Sequence, residues 1–529
     1  MKKFKSVLAI LLLATSVCNL VACGGGADSE DPNKGDKNRT NVLTVSIFDG
    51  GYGTGWLYEL KRGFEDIRKD VYVDIIPNYS DANVRTELES SVSSVDIYFT
   101  KDYYYKRVDN GSIRVGKTTY DSWLADISDV VNGPAYGETE TIKSKLKSTL
   151  IDWFESSTGK YYTLPWGGGL LGMIVNTDIL QENGWDIPVT TDEMLEVFSD
   201  IKEANLKNDQ GKTIYATTIC STDDSMIRQP QATWFAQYLG TEGWNDFWNG
   251  YDQNGERYQT SLLNNNGLLY SLEVCQEFLS SSNGYLHEYA LSDTFISTEF
   301  RLFNKECVFL SYGDWVMNEC ATNFTDEELK DVRFIKFPVV SKIVEKLDDS
   351  DMSDETLAAI IREIDAGATS SSLCSEADFA IIQDARSINL SNANIHMVEV
   401  PCYSDNIDTA KDFLRYVYSD KGAAAFAANS RGNVWAVNDY DYDAAGVTLN
   451  NYASSCLDIM NNSTILNMFN LHNRLFLQNG LDLLNGDYQN WPQYFWTTSS
   501  KDQKTARQIY EGNLVYVSTR WNDYIKNLD

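Results

Sequence analysis

The strongest constraint on the fold is an alternation of strand-like and helix-like segments over residues 42–99. Residues 42–48 (VLTVSIF) form a β-branched run, and a glycine-rich turn follows at 49–55. From Trp56 the apolar residues recur at helical spacing; residues 71–76 and 95–99 read as strands, and 81–91 as a helix. This order predicts an α/β layer with a mostly parallel sheet. Ligands of such sheets bind at the carboxyl ends of strands, which directs attention to residues 49–56 and 100–105.

The net charge excludes two classes of partner. The 529 residues contain 76 Asp and Glu against 44 Lys and Arg, a formal charge of −32. Residues 1–22 hold three of the lysines and no acid, so without them 76 acids face 41 bases, or −35. Binding of nucleic acid requires a positive field on the protein, and so does docking on an anionic membrane through a basic patch. This chain lacks such a field. Because 43% of the residues are hydrophobic, the acidity does not indicate disorder.

The amino terminus is typical of an export signal. A cationic start at residues 1–5 precedes an apolar run at 7–17, which as a helix spans only about 16 Å and is too short for a bilayer core of about 30 Å. We therefore interpret residues 1–22 as a signal peptide rather than a membrane anchor. Leu20-Val21-Ala22-Cys23 resembles the bacterial lipoprotein cleavage box, in which the cysteine is lipidated. An ordinary signal peptide with an incidental cysteine is the alternative.

The lipoprotein interpretation has consequences for location. Lipidated Cys23 would become the new amino terminus, and several acyl chains on one residue anchor a protein stably. Residues 24–41 are rich in glycine and charge without periodicity, so 23–41 is predicted to be a flexible tether. We expect the globular part to lie on the extracytoplasmic face of the cell membrane.

Cysteine and histidine usage argues against a metal site. No pair of cysteines after position 23 forms CxxC, and the histidines His287, His396 and His472 are far apart in sequence. We predict no metal and no cofactor. One or two disulfides are compatible with an exported protein, but mostly buried thiols are the preferred interpretation. The cysteines concerned are Cys220, Cys275, Cys307, Cys320, Cys374, Cys402 and Cys456.

Three short motifs are better explained by local structure than by chemistry. Residues 111–118 satisfy the phosphate-loop pattern, but the preceding strand ends twelve residues upstream and poor helix formers follow, so we predict a β-hairpin. Residues 208–212 and 252–256 each resemble part of a calcium loop without its bidentate glutamate, and we interpret both as tight turns. No nucleophile motif is present. With 76 acids, the sequence alone leaves open a glycosidase-type carboxylate pair.

Four different blocks of sequence follow one another along the chain. They are GKYYTLP at 159–165 with a strand ending at Asn176, a short helix to Gly184 followed by PVTTDE at 188–193, VFLSYGDW at 308–315, and an A-x-x-F-L helix pair at 408–426. In this order and spacing the chain resembles the bacterial extracellular solute-binding proteins of the family that includes maltose-binding protein. Members of that family are the capture subunits of ABC importers, commonly for sugars.

The resemblance implies the type II periplasmic-binding-protein-like fold. Two α/β lobes, each a mostly parallel sheet flanked by helices, would be joined by a hinge that the chain crosses three times, with solute in the cleft between them. We predict a first lobe of residues 42–160 plus 336–430 and a second of 161–335 plus 431–529. The first would carry an insertion at about 341–393, with a helix at 353–365 indicated by apolar spacing.

Aromatic residues at predicted strand ends are the best site candidates. The C–H groups of a sugar ring pack on an indole face, and its hydroxyls seek polar partners such as carboxylates. The alternative interpretation of each candidate tryptophan is that it is a core residue, because tryptophan is mostly buried in any protein. Trp244, Trp248, Trp491 and Trp496 have no such position and are interpreted as structural. The predicted ligand-binding residues are Asp49, Trp56, Trp166, Asp314 and Trp315, then Trp234 and Trp435, with Tyr103, Tyr104 and Tyr105 as a wall.

These observations predict a non-catalytic, monomeric lipoprotein that captures a carbohydrate or oligosaccharide and delivers it to an ABC permease. Two alternatives remain: a surface-anchored sensor or adhesion lipoprotein without a transport role, and an exported glycan-active enzyme. The acidic charge makes anionic solutes unfavourable unless the cleft is locally basic.

Overall fold

The computed structural model describes most of the chain after residue 32. It covers residues 33, 35 and 37–528, apart from 79, 92, 102–111, 222–224, 321, 322, 326, 328, 431–440, 443–445, 471, 472, 480–483, 485–490 and 527. The strands are β1 (Asn41–Phe48), β2 (Val71–Asn78), β3 (Ile97–Phe99), β4 (Ile113–Val115), β5 (Thr118–Tyr120), β6 (Thr163–Pro165), β7 (Leu171–Asn176), β8 (Tyr215–Thr218), β9 (Cys307–Gly313), β10 (Val332–Ile335), β11 (Ile388–Ser391), β12 (Met397–Glu399) and β13 (Thr464–Asn467).

Helices connect these strands and continue beyond the last of them. They are α1 (Gly55–Ile67), α2 (Val84–Ser90), α3 (Ser128–Val131), α4 (Ile142–Lys145), α5 (Ser148–Ile151), α6 (Thr177–Asn183), α7 (Thr191–Ala204), α8 (Ser225–Trp248), α9 (Asn266–Leu279), α10 (Phe295–Phe303), α11 (Val316–Glu319), α12 (Asp354–Asp365), α13 (Glu376–Ser387), α14 (Ile407–Val417), α15 (Asp420–Ser430), α16 (Asn451–Asn462), α17 (Arg474–Asn479), α18 (Trp491–Trp496) and α19 (Ala506–Tyr524). Gly240, with φ of 82°, divides α8 into two helical segments at a kink.

The first sheet has the strand order β2-β1-β3-β12-β6. β1 runs parallel to β2 and β3, whereas β12 runs antiparallel to β3 and β6. Val45 at the centre of β1 lies opposite Ile75 and Ile97, and all three side chains are buried. Helix α1 packs with its apolar stripe inward, burying Leu57, Leu60 and Phe64. We call the part of the molecule built around this sheet the first lobe.

The second sheet has the strand order β10-β7-β9-β8 and forms the second lobe. Only β8 and β9 are parallel; β7 is antiparallel to both β9 and β10. Every residue of β7 and β9 is buried, which explains why both strands are mostly apolar. The α/β fold is thus as predicted, and each sheet has one strand of opposite sense, namely β12 in the first sheet and β7 in the second. These are the two strands that follow a passage of the chain between the lobes.

Two segments that carry the chain between the lobes lie side by side. The first crossover, residues 166–170, joins β6 to β7, and the second, 392–396, joins β11 to β12. The amide of Asn392 donates to the Gly169 carbonyl at 2.9 Å, and the amide of Trp166 donates to the His396 carbonyl at 2.9 Å. Gly169 has a φ of +56°, and a Cβ there would collide with Asn392. The third passage, between α15 and α16, includes residues outside the described part.

Several local predictions are confirmed by the structure. β4 and β5 pair as the predicted hairpin at the phosphate-loop pattern, although Gly111 lies outside the described residues. Asp252 Oδ1 accepts from the amides of Asn254 and Glu256 at 2.9 Å each, as expected of a tight turn. The seven cysteines from Cys220 onward are free thiols, and six of them are buried.

Among the described residues, no helix is long and apolar enough to cross a membrane.

The inserted segment lies in a different place from the one we predicted. Its helix is α12, capped by the Ser353 side chain, as the apolar spacing indicated. However, Thr190 Oγ1 donates to Asp354 Oδ2 at 2.7 Å, and Arg362 pairs with Glu193 at 2.8 Å. Both contacts join the insertion to α7 of the second lobe rather than to the first lobe, and β11 at its end pairs with β13. The remaining lobe bounds stay a prediction.

Candidate functional site

The two lobes touch where the loop after β1 meets the turn after β9. The loop, residues 49–55, contains four glycines around Tyr52, and Gly53 adopts the left-handed φ of +63° that closes the turn. From the second lobe, Asn318 Nδ2 donates to the Gly51 carbonyl at 2.9 Å. A Cβ on Gly51 would lie 2.8 Å from the Trp315 side chain, so only glycine allows this approach.

Tyr52 is the centre of a group of rings supplied by both lobes and both crossovers. We call Tyr52, Trp56, Trp166, Trp315, His396 and Phe426 the junction cluster. The Tyr52 ring lies edge-on to Trp166 at 5.4 Å and to Trp315 at 6.2 Å between centroids. Trp56 stacks on Trp166 at 6.1 Å with an interplanar angle of 22°. Such edge and offset contacts are the favoured geometries of aromatic pairs.

Polar groups hold the rings in place. Trp166 Nε1 donates to the Thr100 carbonyl at 2.8 Å, at the end of β3, and Trp56 Nε1 donates to the Gly53 carbonyl at 3.2 Å. Asp314 is fully buried, and its backbone amide donates to the Leu170 carbonyl of the first crossover at 3.1 Å. The Tyr52 hydroxyl donates to Asp314 Oδ1 at 3.4 Å, which joins the lobes by a side-chain contact.

The electrostatics of the junction keep its rings neutral. Burial, and then the charge of Asp314, raises the pKa of Tyr52 well above its usual value, so the phenol remains a donor. Burial, and then the charge of Lys101, lowers the pKa of His396 to about 3, so its imidazole is uncharged at neutral pH. The cluster therefore presents aromatic surfaces and neutral hydrogen-bonding groups next to a buried carboxylate.

Four of the predicted site residues come together here: Trp56, Trp166, Asp314 and Trp315. Asp49 begins the glycine loop, half-buried, and its amide donates to the Asn78 carbonyl at 2.8 Å. Trp435, the tyrosines at 103–105 and Cys23 lie outside the described residues.

Trp234 does not lie at the junction. We listed Trp234 among aromatic residues at predicted strand ends, but it lies within helix α8. Its ring packs between Phe278 and Phe337, each at 6.1 Å, and its Nε1 donates to the Pro338 carbonyl at 3.2 Å. The prediction that Trp234 is a site residue is not supported by this placement, because its contacts are with second-lobe core residues.

Sequence reasoning missed Tyr52, His396 and Phe426. Tyr52 carried a usable signal, since it is the one large side chain in a run of glycines after a strand. His396 and Phe426 carried none, because their position depends on the second crossover and on α15 packing against α1. Among the described residues, no group of three or more His, Cys, Asp or Glu side chains is arranged to hold a metal ion.

Comparison with known proteins gives a clear answer about the fold. No protein-family model matches the chain, and no curated protein does. Solved structures match along nearly its whole length. A probable secreted solute-binding lipoprotein from Streptomyces coelicolor is 12% identical with a TM-score of 0.58, over 92% of this chain and 99% of that one. Maltose-bound MalE3 from T. maritima is 12% identical with a TM-score of 0.57, over 90% and 99%.

A third match is RafE from Streptococcus pneumoniae, 12% identical with a TM-score of 0.56, over 92% of this chain and 98% of that one. A structure of RafE also exists in complex with raffinose. The chain therefore has the two-lobed α/β fold of solute-binding proteins.

Proposed function

We propose that the protein is a non-catalytic binding protein that captures a carbohydrate between its lobes and delivers it to an ABC permease. The observation that carries this proposal is the origin of the junction cluster. Its rings come from the first lobe, the second lobe and both crossovers, so any solute that contacts them contacts every part that moves when the lobes separate.

The chemistry of the cluster suits a neutral hydroxylated ring. Tryptophan faces pack against sugar C–H groups, and the Asp314 carboxylate and Tyr52 hydroxyl offer an acceptor and a donor. Trp56 and Trp166 are fully buried, and Trp315 is 7% exposed, so a solute reaches them only when loop 49–55 and the turn at 313–316 move apart. A solute that contacts both lobes would then stabilise the closed arrangement.

The similar proteins support the same reading. MalE3 holds maltose and RafE holds raffinose in structures that share this fold. The amino-terminal pattern ending at Cys23 supports a lipid-anchored, extracytoplasmic location, and one similar structure is of a probable secreted solute-binding lipoprotein. An anchor there would leave the lobes of a monomer free to meet a permease at the membrane surface.

A binding screen tests the proposal. Thermal shift and titration calorimetry are run on the protein with mono- and oligosaccharides, and incubation with the same glycans is followed by product analysis. We expect at least one saccharide to bind with unchanged covalent structure. Tight binding of peptides or metal ions with no saccharide ligand would contradict the sugar assignment, and release of shortened glycans would favour an enzyme.

A further inference from the structure

Side chains close the outer edge of the first sheet, at strand β2. Glu65 Oε1 of α1 accepts from the Val73 amide at 2.9 Å, and Lys61 Nζ donates to the Val73 carbonyl at 2.5 Å. Two residues further along, Asn33 Oδ1 accepts from the Ile75 amide at 3.1 Å, and Asn33 Nδ2 donates to the Ile75 carbonyl at 2.7 Å. A bare strand edge is a template for pairing with another chain, so these bonds protect the sheet.

Asn33 belongs to a segment that precedes β1 and lies along this edge. We call residues 33, 35 and 37–39 the strap. Arg39 Nη1 donates to the first carbonyl of β2 at 2.6 Å. The Tyr72 hydroxyl donates to the Asn33 carbonyl at 2.9 Å, and a Cβ on Gly35 would lie 2.8 Å from the Tyr72 ring. The strap is therefore held against β2 at both ends and in the middle.

The direction of the strap determines which end of the sheet it approaches. Arg39 lies at the first residue of β2 and Asn33 beside Ile75, the fifth, so towards the amino terminus the strap runs in the direction of β2. Ile75 lies three residues, about 10 Å, before Asn78 at the end of the strand. The Asn78 carbonyl accepts from Asp49, the first residue of the glycine loop of the junction. The strap therefore leads towards the end of the first lobe that carries loop 49–55, which we call the cleft end.

The strap also shortens the tether predicted for residues 23–41. Asn41, the first residue of β1, lies eighteen residues after Cys23, and a chain of that length spans at most about 65 Å. Asn33 lies ten residues after Cys23, which reduces the maximum to about 36 Å. Asn41 pairs with Val71, at the end of the sheet opposite the cleft end. Attachment through the strap therefore differs from attachment at β1 in both reach and direction.

We propose that the strap turns the cleft end of the first lobe towards the membrane in which Cys23 is anchored. A lipid bilayer is then the surface that this end of the lobe faces. The inference rests on the lipid anchor of the proposed function. With the first lobe held in this way, the second lobe is the part that swings when the lobes separate. The strap contacts lie outside the junction cluster, so they do not change the affinity for the solute.

Hydrogen exchange in the full chain tests the strap. Asn33→Ala removes both side-chain bonds to Ile75, so the Ile75 amide should exchange about tenfold faster than in the unaltered protein. Lys37→Ala is the matched control and should leave this exchange unchanged, because the exposed Lys37 side chain forms no hydrogen bond with the described residues. Both variants should bind saccharide with the affinity of the unaltered protein. An Ile75 amide that exchanges equally fast with and without Asn33 overturns the proposal.

Energy transfer to a membrane tests the orientation. The lipidated protein is placed in zwitterionic vesicles that contain an acceptor lipid, and a donor dye is attached at Ser80→Cys or Lys69→Cys. Both positions are exposed; Ser80 follows β2 at the cleft end, and Lys69 precedes it at the opposite end. Both variants also carry Cys374→Ser, because Cys374 is the only one of the seven thiols from Cys220 onward that is not buried. Transfer from Ser80→Cys should be at least twofold greater, and Asn33→Ala should reduce this difference.

The outcomes separate this inference from the proposed function. Equal transfer from the two positions, or greater transfer from Lys69→Cys, overturns the orientation while the lipid anchor stands. An Asn33→Ala variant that keeps the full difference overturns the role of the strap. Protein that does not enter the vesicles contradicts the lipid anchor, and the orientation with it, even where saccharide binds as proposed.

Discussion

Two groups of buried aromatic rings in this protein look alike in composition but differ in origin. The second-lobe group consists of Trp234, Phe278 and Phe337, and the Trp234 indole donates to Pro338 beside it. The junction cluster draws instead on a first-lobe loop, α1, α15, both crossovers and the turn after β9. If the lobes separate as the proposed function requires, the second-lobe group keeps its contacts, whereas the junction cluster loses contacts around Tyr52.

This difference distinguishes stability from binding. Removing a ring from the second-lobe group leaves a cavity that the lobe carries in every conformation, which lowers the free energy of unfolding. Under the proposed function, removing a ring from the junction cluster changes contacts that depend on lobe closure, and we expect it to act on the affinity for the solute. Aromatic content alone does not separate these roles.

The largest expected effect is on stability at Trp234. Trp234→Ala should lower the free energy of unfolding by about 3–5 kcal/mol, because it empties a buried site and removes the indole hydrogen bond. Chemical denaturation measures this loss. The folded fraction should bind saccharide with the affinity of the unaltered protein; weakened binding would place Trp234 in the solute site after all.

The second effect is a pH dependence at His396. Burial lowers its folded pKa to about 3, below the usual ~6.5. The unfolded state therefore binds one more proton between these values, and stability falls as the pH falls through this window. The unaltered protein should lose about 1.4 kcal/mol per pH unit more than His396→Gln between pH 6 and 4. Urea denaturation at several pH values measures both slopes; equal slopes would contradict the neutral, buried imidazole.

The third effect is on affinity at Trp315. Trp315→Ala should weaken saccharide binding at least tenfold, about 1.4 kcal/mol, because the ring forms the second-lobe side of the junction cluster. Titration calorimetry checks this, with Trp496→Ala as a control at a half-buried tryptophan outside the cluster. An unchanged affinity would remove Trp315 from the site and leave only its packing role.

The smallest effect is at the Tyr52 hydroxyl. Tyr52→Phe keeps the ring contacts and removes a hydrogen bond to Asp314 that is long, at 3.4 Å. We expect a loss of about 0.5–1 kcal/mol, which is a few-fold in saccharide affinity. Tyr52→Ala should cost clearly more, since it also removes the ring contacts. If both variants bind saccharide with the affinity of the unaltered protein, Tyr52 does not contribute to closure.

Local patterns predicted local structure well. The strand and helix segments predicted over residues 42–99 correspond to β1, α1, β2, α2 and β3. Apolar spacing also predicted α12, which is capped by Ser353. The errors have one cause. We assigned the insertion to the first lobe, although it contacts the start of α7 in the second, and grouped Trp234 with residues at strand ends, although it lies within α8. Neither packing partner is near in sequence, and periodicity reports only which face of an element is buried.

The sequence by itself determined the α/β character and the motif order that implied two lobes, since these depend on neighbouring residues or on recognisable blocks. Only the tertiary structure decided which rings meet. Tyr52 and Asp314 are 262 residues apart and interact because two loops from different lobes face each other across paired crossovers. Contacts of this kind follow from chain topology, on which local residue preferences carry almost no information.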